Sequence, residues 1–600
     1  MTEFIFNPIY NKKPQGPGKV GDAVTYTLKV LRSVHCEDGV FFVLTDDKTK
    51  KVTKTKIPLY ESDDNYYTYQ MTITYTADGL YWYYFELRND AGSFYLCKTY
   101  LFDVLAMPTP GEAFAQIVYQ NESAVDKSYN KGIIYHIFVD RFKKSGTVNC
   151  KSGMVLRKDW GGEITKNSRD FLVINQECFG GNLQGIVDKL PYIKSLGTNT
   201  IFLSPVFESY SYHKYNVADY DEVDSMFGGW EAFNKLVTEA KKLDMKILLD
   251  GVFNHAGSDS KYFNKLARYK TIGAYQSKKS EYYDWFSFEN FPDKYECWWK
   301  IETLPKFREE SASLQQYFTG PGGILAKYMK SGILGFRLDV VDEIFDPYLD
   351  KICKRIKQSN PSAMVLGEVW EDAATKIAYE KRRHYFSGNQ LDAVMNYPLK
   401  NAILDFVKDG RAENIASVFL MLKDEYPRAV QNNLMNFLGT HDTIRILTLL
   451  KEHNLDRSFQ LLKIASAIQY CSPGVPSVFY GDEVGAEGAE APFCRVCYPW
   501  NNQNKDILAW YKKLGVLRSD KVFVDGECNV LLAHNGVFVF ERKNESTRIV
   551  VCANCGPDDF QLDIKNPMVN FETGKTVKDS IHLASNNFVI LKEGNRYDKT

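Results

Sequence analysis

The sequence predicts a multidomain protein in which a central (β/α)8 TIM barrel lies between an N-terminal and a C-terminal β-sandwich. Three observations support this fold class. The chain has 600 residues, which exceeds a single domain of about 150 residues. Short runs of alternating apolar and polar residues occupy both ends of the chain. Between them, eight short apolar runs alternate with stretches of helical periodicity, as in strand–helix units around a parallel barrel.

Residues 1–105 are predicted to form the N-terminal β-sandwich. Residues 23–30 and 66–73 alternate between apolar and polar side chains, and turn residues separate runs of this kind. We interpret the following residues 106–130 as a linker, because they begin with a segment rich in proline and glycine.

Residues 131–519 are predicted to form the barrel, and residues 520–600 the C-terminal β-sandwich. The longest stretch without periodicity, residues 256–320, follows the third apolar run and is predicted to be a functional insertion. The eight predicted strands are 133–138, 200–205, 246–252, 335–340, 364–369, 391–397, 434–438 and 476–480.

Charge and cysteine content exclude several classes of partner and site. The net charge of −1 predicts neither a nucleic-acid partner nor a membrane surface, and no apolar run is long enough to span a bilayer. The N-terminus lacks a secretory pattern and the 12 cysteines are scattered, so we expect a cytoplasmic protein. Two CxxC pairs, Cys494/Cys497 and Cys552/Cys555, are far apart, which favours structural thiols over a zinc site.

Polar residues at the ends of the predicted barrel strands are the candidates for chemistry, because barrel enzymes react at that face. The third strand ends with Asp250 and, beyond it, His255. In the fourth strand, alternation places Arg337 and Asp339 on one face. We expect the arginine to hold Asp339 ionised, which is the state a nucleophile needs. A buried structural ion pair is the alternative interpretation.

The fifth predicted strand contains Glu368 in an otherwise apolar run, and burial there would suit a general acid. Neighbouring strands lie about 4.8 Å apart, so Asp339 and Glu368 are predicted to approach to about 5 Å, the separation in retaining glycosidases. His441 and Asp442 are adjacent where the seventh strand ends.

These segments, in this order, resemble the four signature regions of the α-amylase family of glycoside hydrolases, family 13. The N-terminal region resembles the starch-binding module of the neopullulanase, cyclomaltodextrinase and maltogenic amylase group. Residues 303–307 look nearer to amylopullulanase-like relatives. The four matching segments are 250–255, 335–339, 367–370 and 440–442.

The resemblance implies a retaining α-glucan hydrolase. Asp339 would be the nucleophile, Glu368 the acid and then the base, and Asp442 the residue that grips sugar hydroxyls and distorts the ring. Arg337 would orient the nucleophile with support from Asp250. The remaining residues implied to contact the substrate are Tyr215, beneath the sugar ring, and His255 and His441, at its hydroxyls.

Alternatives to hydrolysis stay open. Trp298 and Trp299 in the insertion are predicted to hold an acceptor sugar for transglycosylation, or else to pack a small core of the insertion. A non-catalytic glucan-binding protein is a third hypothesis, disfavoured because all three carboxylates are present. Residues 340–343 and 303–307 depart from the neopullulanase group, which leaves α-1,4 and α-1,6 bonds both open.

No cofactor is predicted to be required. Relatives that bind calcium near the first strand use acidic residues there, whereas this chain has a lysine-rich loop at 141–146 and a neutral Asn182, which argues against calcium. In the resembling group, the N-terminal domain often completes the active site of a partner, so a homodimer also stays open.

Overall fold

The computed structural model describes residues 2–36, 39–164 and 175–593. Its central sheet contains eight parallel strands, and a bridge between Met395 and Met435 joins the two end strands. The predicted barrel is therefore confirmed. The strands, labelled β1 to β8, are Ile133–Ile137, Thr198–Leu203, Lys246–Gly251, Gly335–Leu338, Met364–Gly367, Ala393–Val394, Met435–Phe437 and Val475–Phe479.

The helices between these strands follow the apolar periodicity of the sequence. In Gly229–Lys242, for example, Phe233, Leu236, Val237 and Ala240 are buried on one side. In chain order the longer helices, α1 to α11, are Leu183–Lys194, Gly229–Lys242, Ala312–Thr319, Ile324–Lys330, Asp346–Ser359, Tyr397–Asp409, Ala412–Glu425, Arg428–Asn433, Ile446–His453, Ser458–Cys471 and Lys505–Arg518.

The connection from β5 to β6 departs from the predicted strand–helix alternation. Residues 368–392, all of which are described, contain no helix. Instead, Ile377–Ala378 pairs with Lys381–Arg382 in a short antiparallel hairpin. Its two turn residues, Tyr379 and Glu380, both have positive φ angles, of 50° and 64°, as a tight two-residue hairpin turn requires.

The N-terminal region is the predicted sandwich of two sheets around an aromatic core, which includes Tyr26, Phe42, Tyr83 and Phe114. The strands of the first sheet are Phe4–Ile5, Lys12–Lys13, Ala23–Leu31, Leu59–Ser62 and Tyr66–Thr74. Those of the second are Gly18–Lys19, Val40–Asp46, Val52–Lys56, Gly79–Asn89, Gly92–Lys98, Val104–Met107 and Phe114–Tyr119.

The prediction that residues 106–130 form a linker is wrong for their first part. Val104–Met107 and Phe114–Tyr119 are strands of the N-terminal sheet, and Phe114 lies opposite Tyr83. The second of these strands packs Phe114 into the sandwich core and Ile117 into the barrel core. Because both faces of this strand are buried, it lacks the alternation by which a half-exposed strand is recognised.

The C-terminal region forms the second predicted sandwich, and one face of its larger sheet covers the barrel. Phe538 packs against Phe406 of α6 and Phe419 of α7 at ring-centroid distances of 6.0 and 5.2 Å. The strands of this region are Glu527–His534, Val537–Lys543, Arg548–Asn554, Phe560–Asp563, Met568–Asn570, Thr576–Val577, Ser580–Leu583 and Asn587–Glu593.

A buried ionic contact joins the N-terminal sandwich to α7 of the barrel. Lys12 Nζ lies 2.6 Å from Asp424 Oδ1, and both side chains are fully buried. Lys98 Nζ lies 3.5 Å from the neighbouring Glu425, whose pKa is raised to about 8, chiefly by burial.

None of the helices in the described ranges has the length and apolar content that crossing a bilayer requires.

Candidate active site

Strand register brings the polar residues of β3, β4 and β5 together. Asp250 in β3 lies opposite Arg337 in β4, and Leu338 lies opposite Gly367 in β5. The residues that follow this second pair are Asp339 and Glu368. Their side chains therefore stand next to each other at the carboxyl ends of two neighbouring parallel strands.

Arg337 is the centre of this carboxylate group. Its Nη1 donates to Asp250 Oδ1 at 2.6 Å and to Asp339 Oδ1 at 2.7 Å. Its Nη2 lies 2.9 Å from Glu368 Oε2. The arginine side chain is fully buried. One guanidinium thus faces three carboxylates, and its fork geometry fixes their relative positions.

The pKa of Asp339 is raised well above its ordinary value, chiefly by burial. Arg337 opposes this shift, whereas the negative charges of Glu368 and Asp250 add to it. The predicted contact between Arg337 and Asp339 is present, and the arginine favours the ionised carboxylate as predicted, but burial outweighs it and the net shift of the Asp339 pKa is upward.

The Glu368 carboxylate is positioned by two hydrogen bonds. Its Oε2 accepts from the Val340 N–H at 2.8 Å, and its Oε1 accepts from Trp370 Nε1 at 3.1 Å. Val340 has φ 41° and ψ 48°, in the left-handed region that β-branched residues rarely adopt. Backbone strain therefore lies directly after Asp339, where it aims an amide at the second carboxylate.

The Asp442 carboxylate contacts two side chains, His441 and Arg495. His441 Nε2 is 2.9 Å from its Oδ2, and Arg495 Nη2 is 3.1 Å from its Oδ1. Burial opposes ionisation, but His441 and Arg495 hold the pKa of Asp442 well below its usual range. The sequence analysis missed Arg495, because it lies in the loop after β8 among residues that form no recognisable pattern.

Two further predicted residues complete this end of the cavity. The Tyr215 hydroxyl bonds to Asp250 Oδ2 at 2.7 Å and to His441 Nε2 at 2.5 Å. Its ring stacks on the His441 ring at 5.2 Å. His255 is buried, which lowers its pKa to about 4, and within the described part of the chain its Nε2 has no hydrogen-bond partner. A neutral imidazole edge is thus available to a ligand hydroxyl.

Trp298 and Trp299 line the cavity and do not lie in the core of the insertion, which packs around Phe263 and Trp285. Glu343, in the loop after β4, accepts from Trp298 Nε1 at 3.2 Å and from Trp299 Nε1 at 2.6 Å. The Trp299 side chain is 73% exposed. These rings therefore stand at the open end of the site.

One cavity of about 820 Å³ contains most of the predicted site. Arg337 and Asp250 do not line it, because they are buried behind the carboxylates that do. Within the described ranges, no group of three or more His, Cys, Asp or Glu side chains is arranged to hold a metal ion. The predicted residues that line the cavity are Asp339, Glu368, Asp442, Tyr215, His255, His441, Trp298 and Trp299.

The fold and the site together define a class: parallel-barrel enzymes in which paired carboxylates act on glycosidic bonds. The sequence matches the alpha-amylase catalytic domain over residues 136–520. The chain belongs to the α-amylase family.

Relatives of known activity match over most of this chain. An amylopullulanase from Thermoanaerobacterium saccharolyticum is 29% identical over 89% of the chain, which spans only 46% of that protein. A cyclomaltodextrinase from Thermoanaerobacter pseudethanolicus is 32% identical, with 77% of each chain covered. The structure of a type III pullulan hydrolase from Thermococcus kodakarensis aligns with a TM-score of 0.69 over 98% of this chain and 100% of its own, at 23% identity. That last similarity shows a shared fold.

The raised pKa of Asp339 predicts the acidic limb of the pH profile. Activity requires the ionised carboxylate, so kcat/KM should fall as the pH drops through a value above the ordinary 3.8 of an aspartate. In the Asp250→Asn variant, Asp339 loses one negatively charged neighbour, so the acidic limb of the kcat/KM profile should move to lower pH. Rate profiles of the two proteins test this, with the exposed Asp64→Asn as a control. A limb that stays in place or moves upward contradicts the assignment.

Proposed function

We propose that the protein is a retaining α-glucan hydrolase. The observation that carries this proposal is the single Arg337 guanidinium, whose two terminal nitrogens contact Asp339 and Glu368 separately. Because Asp339 and Glu368 contact the same guanidinium, the nucleophile and the acid face the same bond of a bound substrate.

The chemistry follows in two steps. Glu368 gives its proton to the glycosidic oxygen as the bond from that oxygen to C1 breaks, and an Asp339 oxygen bonds to C1. The shortened glucan leaves with a free hydroxyl. Glu368 then takes a proton from water, the water oxygen bonds to C1, and the bond from C1 to Asp339 breaks. Asp442, held ionised, accepts hydrogen bonds from sugar hydroxyls and stabilises positive charge on the ring.

The proposed substrates are maltooligosaccharides, pullulan, cyclodextrins or starch fragments, cleaved at α-1,4 bonds and in some cases at α-1,6 bonds. The names of the relatives support this range, and the amylopullulanases and the cyclomaltodextrinases support different parts of it. Transglycosylation is the second candidate. It is favoured by the exposed Trp299 and the half-buried Trp298 at the open end of the cavity, where an acceptor sugar would stack.

Digestion of pullulan tests the proposal. Panose would identify α-1,4 cleavage and maltotriose α-1,6 cleavage, while turnover at high maltose that yields longer oligosaccharides would identify transfer. Binding of maltooligosaccharides without turnover of any α-glucan would overturn the enzymatic proposal and leave the non-catalytic hypothesis. The Asp339→Asn protein is the control for contaminating activity.

Calcium near β1 does not fit the residues present, so we propose an enzyme without a resident metal there. The Asp140 carboxylate accepts the Phe179 N–H at 3.0 Å and pairs with Arg141 at 2.7 Å. The Asn182 Oδ1 accepts the Gly185 N–H at 2.8 Å. These oxygens are already engaged, whereas calcium takes six to eight oxygen ligands. Dialysis against a chelator should leave activity and Tm unchanged, and a Tm loss that calcium restores would contradict this.

The cytoplasm is the proposed location, because none of the twelve cysteines, which all lie in the described ranges, is in a disulfide, and disulfides are rare in that compartment. Titration of twelve thiols in unfolded protein prepared without reductant would support this location, and fewer thiols would argue against it.

A homodimer is proposed only as a second state of the protein. Detection of a single species of monomer mass by light scattering would contradict the homodimer.

A further inference from the structure

The hairpin between β5 and β6 forms part of the cavity wall. We call residues 376–383 the rim hairpin. Its Lys376, Ala378 and Tyr379 line the cavity that contains the carboxylates. The Tyr379 side chain is 67% exposed at the open end. Substrate units that extend beyond the reacting sugar therefore pass this hairpin.

The N-terminal domain holds the outer strand of the rim hairpin. Arg382 Nε donates to Asp47 Oδ2 at 3.0 Å, and its Nη2 donates to Asp47 Oδ1 at 3.3 Å. Trp82 Nε1 donates to the same carboxylate at 3.0 Å, and the Trp82 ring lies 5.7 Å from the guanidinium. Burial opposes ionisation of Asp47, but the hydrogen bonds from Arg382 and Trp82 lower its pKa to about 2. A largely buried, two-point ion pair of this kind fixes orientation as well as distance.

The barrel holds the other side of the same hairpin. Lys376 Nζ lies 3.1 Å from Asp342 Oδ2, in the loop that follows the predicted nucleophile. Burial, and then the neighbouring Glu343 carboxylate, raise the pKa of Tyr379. Glu343 is also the acceptor for the two indole N–H groups of the insertion. A shift of the rim hairpin would therefore move Tyr379 relative to the two tryptophans, which neighbour the same Glu343 carboxylate.

We propose that the N-terminal domain is a positioning element of the substrate cleft within its own chain. Asp47 and Trp82 fix Arg382 and thereby hold Tyr379 where it contacts glucan units beyond the reacting sugar. This proposal rests on the proposed α-glucan hydrolase function. It assigns Trp82 to the contact between domains, where its ring is not free to stack on a separate sugar chain.

Steady-state kinetics with short and long substrates test the proposal. Asp47→Asn and Arg382→Gln should each raise KM for maltoheptaose or pullulan about tenfold, within the range that misplacement of a positioning element costs. Both variants should keep kcat and KM for p-nitrophenyl α-maltoside within about twofold of the wild type, because the carboxylate group is untouched. The double variant should be no worse than either single variant, since each removes the same contact. The exposed Asp64→Asn in the same domain is the matched control.

Several results would overturn the proposal. One is an equal change in KM for short and long substrates. Another is an additive change in KM in the double variant, and a third is a wild-type KM for every substrate in both single variants. If the wild type hydrolyses no α-glucan, the proposed function fails, and hydrogen exchange decides the positioning role by itself. Residues 376–383 should exchange faster in Asp47→Asn and in Arg382→Gln at unchanged Tm, but not in Asp64→Asn. Unchanged exchange there would show that the N-terminal domain does not hold the rim hairpin.

Discussion

We expect Asp339→Asn to lower kcat/KM on maltooligosaccharides by about 10⁴-fold or more, as loss of a covalent nucleophile does in other enzymes. The amide has the shape of the carboxylate but cannot form the glucosyl ester. The folded state should persist, because the change removes one of three negative charges around Arg337. Initial rates over a range of substrate concentrations, together with thermal unfolding curves, measure both effects.

Asp342→Asn is a matched control for this variant. Asp342 lies in the same loop and also lines the cavity, but it bonds to Lys376 and Tyr385 rather than to Arg337. Its substitution should cost at most about tenfold in kcat/KM, as loss of a cavity contact away from the reacting atoms. An Asp339→Asn protein that retains activity comparable to Asp342→Asn would contradict the assignment of the nucleophile.

The second large effect is expected for Glu368→Gln and depends on the leaving group. Hydrolysis of maltooligosaccharides should fall by about 10²–10⁴-fold, because the sugar leaving group needs the proton of a general acid. α-Maltosyl fluoride does not need that proton, so its first step should persist. With no base to activate water, the maltosyl ester on Asp339 should then accumulate.

Mass spectrometry of the quenched Glu368→Gln protein measures this intermediate. A peptide containing Asp339 should carry one maltosyl group after reaction with the fluoride, and the double variant with Asp339→Asn should carry none. If the variant lost as much activity on α-maltosyl fluoride as on maltooligosaccharides, and no maltosyl adduct formed, Glu368 would not have the acid and base roles.

Sequence reasoning located the barrel and the carboxylates for a single physical reason. Strands such as Gly335–Leu338 and Met364–Gly367 are buried on all sides, so they consist of almost continuous apolar residues. A polar side chain within or directly after such a run is conspicuous. Arg337, Asp339 and Glu368 are recognisable for this reason, and strand register brings them together.

Other parts of the site depend on contacts between distant segments, and periodicity contains no information about these. Arg495 reaches Asp442 from a loop 53 residues further along the chain. Arg382 finds Asp47 across 335 residues, in a different domain. The raised pKa of Asp339 was also not predicted, because the sequence shows the neighbouring arginine but not how deeply Asp339 is buried, nor that Glu368 and Asp250 lie beside it.

The buried Lys12–Asp424 contact has a consequence for how the chain is organised. A carbohydrate-binding module that can be exchanged between enzymes needs a hydrated contact face, so that both parts stay stable when separated. Here, loss of the Lys12 ammonium alone would leave Asp424 buried without its cation, and breaking a buried pair in this way typically costs about 3–5 kcal/mol. We therefore expect the stability of the sandwich and that of the barrel to be coupled through this buried contact.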